Sequence, residues 1–273
     1  MTKKAKLVNP IKLVKKKNNY NYLSPVNKLN GDVYLVSYPK SGNTWLRFLV
    51  ANAIKCKYGI DRDVNFFSIN EFIPDIHISR NLRSEGIYGQ NNLPRIIKSH
   101  ASFNPYYSRV ILLVRNPIDV MLSYYYFSIS NEYITEDVTF SEFIKSRKNG
   151  VDSWVAHTQS WLTNYKTGHI IRIFFYENLK QNTQQELEKI INLLGISVDD
   201  SILKQALHLS SLDMMRRSET KHISTLQIEN QKFPFVRQAG TNFKKELRQE
   251  EREFIKNATK SIERQLNTEE IWL

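Results

Sequence analysis

Three short stretches of this 273-residue chain hold cations, hydroxyls and an imidazole at spacings that suit anion chemistry. YPKSGNTW (38–45) supplies Lys40, Ser41, Gly42, Asn43, Thr44 and Trp45 in eight residues. RIIKSH (95–100) places Lys98 two residues before His100. LLVRNPIDVMLSYY (112–125) carries Arg115, with Ser123 two helical turns further on. Lysines and an arginine neutralise an anion, hydroxyls and backbone N–H groups orient it, and a glycine lets it approach the main chain closely. An imidazole titrating near neutrality can take up a proton beside them. Each residue has a plainer reading: a surface lysine in an ordinary turn, a structural histidine, a strand-end ion pair, an exposed hydroxyl. Two lysines, an arginine and a histidine at comparable positions are harder to dismiss together.

The first stretch is not the triphosphate-binding pattern G-x-x-x-x-G-K-[ST], because Lys40 precedes the only glycine and no Lys-Ser/Thr pair follows it. No aspartate stands at the end of a later strand where Mg²⁺ would be held. The expectation is an anion handled without a metal.

The elements that must position these residues follow from hydropathy. DVYLVSY (32–38), RIIKS (95–99), RVILLV (109–114) and HIIRIFFY (169–176) are apolar, β-branched runs of strand length. Residues 41–59 space Trp45, Leu46, Leu49, Val50, Ala53 and Ile54 helically and stop at Gly59. NPIDVMLSYYYFSI (116–129) opens with Asn116 as N-cap and Pro117 at the first helical position. Helices are also expected over 139–149, 152–165, 181–195, 199–211 and 248–266, and 60–94 reads as irregular with at most a short helix. Strands alternating with helices predict an α/β, three-layer fold: a central parallel sheet flanked by helices, with a P-loop-like phosphate-binding turn after the first strand. The sites then fall at the carboxyl ends of strands, where open parallel sheets bind ligands.

Of the formal charge of +12, eight units are lysines ahead of the first acid, Asp32, which leaves +4 for the rest. Residues 1–30 are therefore expected to be a basic, flexible arm, and 31–273 a single domain. No run reaches 18 apolar residues, and the basic start lacks the apolar core of a signal peptide. One cysteine, Cys56, excludes an intrachain disulfide. The expected setting is cytoplasmic, with no membrane span.

From Asp32 to Leu247 the chain resembles the cytosolic-type sulfotransferase family, which uses 3′-phosphoadenosine 5′-phosphosulfate (PAPS). YPKSGNTW is similar to that family's 5′-phosphosulfate loop, with Asn43 replacing a threonine. The resemblance implies that Lys40 holds the bridging and 5′-phosphate oxygens, that Ser41, Gly42, Asn43 and Thr44 add donors, and that Trp45 stacks on adenine. RNPIDVMLSYY resembles the 3′-phosphate motif, which gives that role to Arg115 and Ser123. KSH is similar to the Lys-Thr-His carrying the catalytic base, implying that His100 is the base and Lys98 stabilises charge. FFYENL and LSSLDMM resemble adenine-pocket segments, implicating Tyr176, Ser210, Leu212 and Met215. VRQAGTNFKKEL (236–247) is a loose version of a further 3′-phosphate motif: Arg237 matches, while Gln238 and Ala239 depart from it. The family's C-terminal Lys-x-x-x-Thr-Val-x-x-x-Glu dimer segment is missing, so the oligomeric state is open.

The reading that follows is sulfonate transfer by in-line displacement to a hydroxyl or amine of a small acceptor, with PAPS as co-substrate, no metal and no nucleic-acid partner. A Mg²⁺-dependent small-molecule kinase and a nucleic-acid-binding module using the lysine arm are the rival classes. The acceptor pocket is expected around 60–94, YYYFSISNEY (124–133) and the segment after Met215. Those regions offer Phe66, Phe67, Phe72, Tyr88, Phe103, Tyr125 and Phe127 for a ring, or Glu85, Glu132 and Asp137 for a cation.

Overall fold

The computed structural model describes residues 25–78, 82, 93–164, 169–226, 247–268 and 272. Val33–Ser37 (β1), Ile96–Ser99 (β2), Arg109–Val114 (β3) and Ile170–Phe175 (β4) form a four-stranded parallel sheet in the order β2-β1-β3-β4. The four expected strands stand within a residue or two of their expected bounds. Such strands are buried on both faces, so they appear in the sequence as unbroken apolar runs.

Helices follow the strands: Asn43–Tyr58 (α1), Ile69–Phe72 (α2), Pro117–Ser130 (α3), Phe140–Ile144 (α4), Val151–Thr163 (α5), Tyr176–Gln181 (α6), Thr183–Leu193 (α7), Asp200–Leu209 (α8), Leu212–Leu226 (α9) and Gln249–Leu266 (α10). Side chains alternate across β1. Val33 and Leu35 point into one core with Leu46, Leu49, Val50, Ile190 and Leu203, and Tyr34 and Val36 into a second with Val120, Met121, Trp154, Trp161, Ile255 and Ile262. Helices α1, α7 and α8 cover the first face; α3, α5 and α10 cover the second.

The start of the sheet is pinned by charge. Arg95 and Asp32 have wholly buried side chains, joined through both carboxylate oxygens at 2.9 and 2.8 Å, and Arg95 also donates to the Asn27 carbonyl at 2.8 Å. Removing one partner of such a pair costs about 3–5 kcal/mol. Residues 25–29 are thereby tied to the body. Among the described residues no helix is long and apolar enough to cross a membrane.

Pro74–Ile78 adds a parallel bridge on the free side of β2. Lys98 N donates to the Pro74 carbonyl at 2.8 Å and Ile76 N to the Lys98 carbonyl at 3.1 Å, pairing Asp75 with Lys98. This short edge lies inside the region expected to be irregular.

Candidate active site

With β1 between β2 and β3, the ends of these strands lie side by side, and the three chemistry-bearing stretches meet at one rim. After β1 the chain turns sharply. Lys40 has φ 68° and Gly42 φ 95°, both left-handed, and Gly42 is the residue before α1. The turn aims the first amides of α1, which have no helical partner, at the space above the sheet. A Cβ on Gly42 would stand 2.4 Å from a ring carbon of Tyr176, so glycine is required both by its φ and by the ring against it.

Arg115, at the end of β3, ties this turn to two other elements. Its guanidinium donates to the Lys40 carbonyl at 3.2 Å, lies 4.3 Å from the centre of the Tyr176 ring, and faces Asp119 at 3.8 Å. Asn116 caps α3 by accepting from Ile118 N, with Pro117 at the first position as expected. Asp119, Ser123 and Phe127 follow at four-residue steps and so share a face of α3. Asp119 meets Arg115 at one end of that face, and the Phe127 ring lies 4.0 Å from the Lys40 ammonium at the other. Half-exposed Ser123 sits one turn from each.

Trp45, Tyr176 and Leu212 are partly buried and pack against the first core, to which Met215 belongs. The Trp45 and Tyr176 rings meet edge-on at 5.8 Å, and Trp45 Nε1 donates to the Ser210 carbonyl at 3.2 Å. The Ser210 hydroxyl instead accepts from Asn52 at 2.9 Å. Asn43 turns inward, donating to the Leu35 carbonyl and the Ser37 hydroxyl, both at 3.2 Å, so its side-chain donor is spent on the end of β1.

On the β2 side His100 is oriented from two directions. Nδ1 lies 2.7 Å from the Ser37 carbonyl, which can only accept, so Nδ1 carries the proton and Nε2 is the basic nitrogen. The backbone N–H of His100 donates to His77 Nε2 at 2.7 Å, and the two rings stack at 5.8 Å. Lys98 Nζ donates to Asp75 Oδ2 at 2.7 Å, and Asp75 Oδ1 accepts from His77 N at 2.9 Å. Period-two geometry explains the group: Lys98 and His100 share one face of β2, and Asp75 and His77 share the same face of the added edge. Burial and the Lys98 charge hold the His100 pKa well below its ordinary value. Burial lowers that of His77 to about 4, with Lys98 acting in the same direction.

His157, on α5, lies behind this pair. Its ring is 5.6 Å from that of Tyr38, and burial pushes its pKa down to about 4, outweighing the Ala101 backbone, which favours the charged form. Asp75, His77 and His157 were not singled out in the sequence. The matched spacing of DIH and KSH was a visible signal for the first two.

Arg237, Gln238, Ala239, Tyr88 and Glu85 lie outside the described residues. Of the aromatics expected near an acceptor, Phe127 stands at the site through Lys40. Phe72 is instead core, Phe66 and Phe67 pack against His222, and Phe103 packs against Trp161 and His169. Tyr125 donates to the Val138 carbonyl at 2.8 Å.

A doubly anionic nucleotide fits these residues on two independent grounds. The Ser41 hydroxyl and Arg115 Nε are buried polar atoms without a partner among the described residues, and both border the left-handed turn. The left-handed turn also presents the first amides of α1, which have no helical partner, beside the Arg115 guanidinium. Among the described residues no cluster suited to a metal ion occurs.

A parallel sheet whose first strand feeds a helix through a cation-bearing, left-handed turn defines a P-loop-like α/β protein. Residues 30–268 match the family model of the sulfotransferase domain. Mouse sulfotransferase 1B1 is 31% identical over 80% of this chain and 78% of its own length, and human sulfotransferase 1E1 is 30% identical over 77% and 76%. The chain belongs to the sulfotransferase domain family. Solved structures share the fold: retinol dehydratase in a complex with retinol and PAP (TM-score 0.64, 14% identity, 86% of this chain and 82% of that one) and mouse sulfotransferase SULT7A1 complexed with PAP (0.61, 20%, 90% and 87%).

Proposed function

We propose that residues 31–273 act as one catalytic domain that moves the sulfonate of PAPS to a hydroxyl or amine of a small acceptor, with residues 1–30 as a basic arm and the cytoplasm as its setting. The observation that carries this reading is the junction at Lys40, Arg115 and Tyr176, where two strand ends and a glycine turn converge around unpartnered donors. The co-substrate supplies an activated sulfonate. A bond forms from the acceptor to sulfur while the bond from sulfur to the bridging phosphate oxygen breaks, leaving a proton to be removed and negative charge to be neutralised.

This chain's residues meet both needs. His100 takes the acceptor's proton at Nε2, which the Ser37 contact leaves unprotonated. Lys40 and Lys98 neutralise charge growing on the bridging oxygen. Ser41, Gly42, Thr44 and the backbone N–H of Asn43 line the 5′ side. Arg115, Ser123 and Arg237 grip the 3′-phosphate, and Trp45, Tyr176, Ser210, Leu212 and Met215 form the adenine wall.

Calorimetry with 3′,5′-diphosphoadenosine (PAP) and adenosine 5′-monophosphate tests the reading. The protein is expected to prefer PAP, and Arg115→Ala to lose roughly ten- to a hundredfold in PAP affinity while affecting the monophosphate little, as removal of a charge-assisted contact predicts. Equal losses for both ligands, or no binding of PAP by the unaltered protein, would sink it.

A further inference from the structure

Lys98 carries its ammonium into a place where water barely reaches: its side chain is 12% exposed and that of Asp75 10%. Burial penalises the charged form of a lysine, and it is the largest influence on this one, whose pKa lies below the ordinary value. The groups facing it are Asp75 and His77 from the added edge, Arg47 from α1 and His100 from the end of β2. Arg47 disfavours the ammonium, as does either histidine when protonated. Asp75 is the carboxylate that favours it.

That carboxylate is built in. The Pro74–Ile76 backbone is bonded along β2 on both sides of Lys98, one Asp75 oxygen accepts from His77 N, and the other accepts from Lys98 Nζ. Both oxygens are held, so the acid cannot easily swing away.

We propose that Asp75 is a positioning residue for the transfer, keeping Lys98 protonated and aimed at the site through the added edge of the sheet. The proposal rests on the reading above, in which Lys98 neutralises the leaving oxygen. A buried ammonium without its carboxylate releases its proton at lower pH, and a neutral amine gives the leaving oxygen no charge stabilisation. Loss of Asp75 therefore removes rate from the alkaline side. The group's contribution is present below the Lys98 pKa and is lost as pH rises through it, and the substitution moves that point down.

The experiment compares the unaltered protein with Asp75→Asn in two measurements. In the free enzyme, competitive acylation across a pH series, read on the Lys98 peptide by mass spectrometry, reports the pH at which the amine becomes reactive; exposed Lys204 serves as internal reference. Asp75→Asn is expected to move that pH down by at least one unit, a tenfold gain in neutral amine at a given pH. In turnover with PAPS, kcat of Asp75→Asn falls tenfold or more as pH rises above neutrality, where the unaltered enzyme holds its rate. Adding Lys98→Arg to Asp75→Asn flattens that fall, because a guanidinium stays charged. Asp75→Glu keeps the carboxylate and is expected to keep the Lys98 titration, which guards against a variant that simply misfolds. An unmoved Lys98 titration in folded Asp75→Asn, or a pH profile parallel to the unaltered enzyme's, overturns the inference. Failure to bind PAP overturns the functional reading instead, and the acylation series decides the Asp75–Lys98 relation either way.

Discussion

In the proposed transfer His100 would be the base, and its tautomer is set before any substrate arrives. The Ser37 carbonyl fixes the proton on Nδ1, and burial together with the Lys98 charge keeps the ring neutral. A histidine with its pKa depressed is unprotonated across the neutral range and loses that form only as pH falls below its ordinary value near 6.5. The acid limb of kcat is accordingly expected below pH 6.5. His100→Ala is expected to lower kcat roughly 10²–10⁴-fold, the usual contribution of a general base, with PAP affinity by calorimetry little changed. Retained turnover would hand the proton to another group, and His77 and His157 are the imidazoles nearest by ring contact or charge. At this scale the placement of Lys40, Lys98, His100 and Arg115 at neighbouring strand ends was legible in the sequence, because the strands are unmistakable apolar runs. Asp75 and His77 were passed over: the matched spacing of DIH and KSH was their signal, but their edge is two backbone hydrogen bonds long and carries no hydropathy pattern that announces a strand.

The elements that carry the site are joined by one carboxylate. Glu177, in the first turn of α6, accepts from Asn116 N at 3.0 Å through one oxygen and from Trp272 Nε1 at 3.1 Å through the other. The Trp272 carbonyl in turn accepts from the Asn116 side chain at 3.2 Å, and its ring packs edge-on against Trp154 and Phe175. The turn between β3 and α3, which holds Arg115, is thus clasped from behind. Trp272→Phe keeps the packing and removes the N–H, leaving one oxygen of a largely buried carboxylate short of a donor. The expected outcome is a loss of about 1–3 kcal/mol, read as a fall of several degrees in Tm, with weaker PAP binding by calorimetry. A lower Tm with unchanged PAP affinity would make Trp272 a packing residue only. Helix boundaries show where local pattern stops informing. Helix α4 was expected over 139–149 but ends at Ile144, because the chain folds back so tightly that a Cβ on Gly150 would meet the Ile144 and Ser146 carbonyls at 2.4 Å. Helices α6 and α9 were not expected: the first is six residues long and follows directly on β4, and the second is rich in charge.

Across the whole molecule, histidines whose pKa burial lowers link function to acid stability. His157 is the clearest. It is 5% exposed, and burial holds its pKa at about 4 against an ordinary 6.5 although the Ala101 backbone favours the charged form. The unfolded chain therefore binds a proton that the folded one refuses. Stability is whole above pH 6.5, falls as pH drops from 6.5 towards about 4, and levels once the folded form also protonates. The slope in that window is at most about 1.4 kcal/mol per pH unit for each such group. His77 and His100 are shifted in the same direction and steepen the fall. His157→Phe fills the site with a ring that has nothing to protonate. Its urea-unfolding stability, measured from pH 7 down to pH 4, is expected to decline less steeply than that of the unaltered protein, and PAP binding at neutral pH to persist, because the ring contact of His157 among the described residues is with Tyr38, to which no nucleotide role is assigned. Parallel declines would mean that His157 protonates in the folded state as readily as in the unfolded one, and that water reaches the ring behind Tyr38.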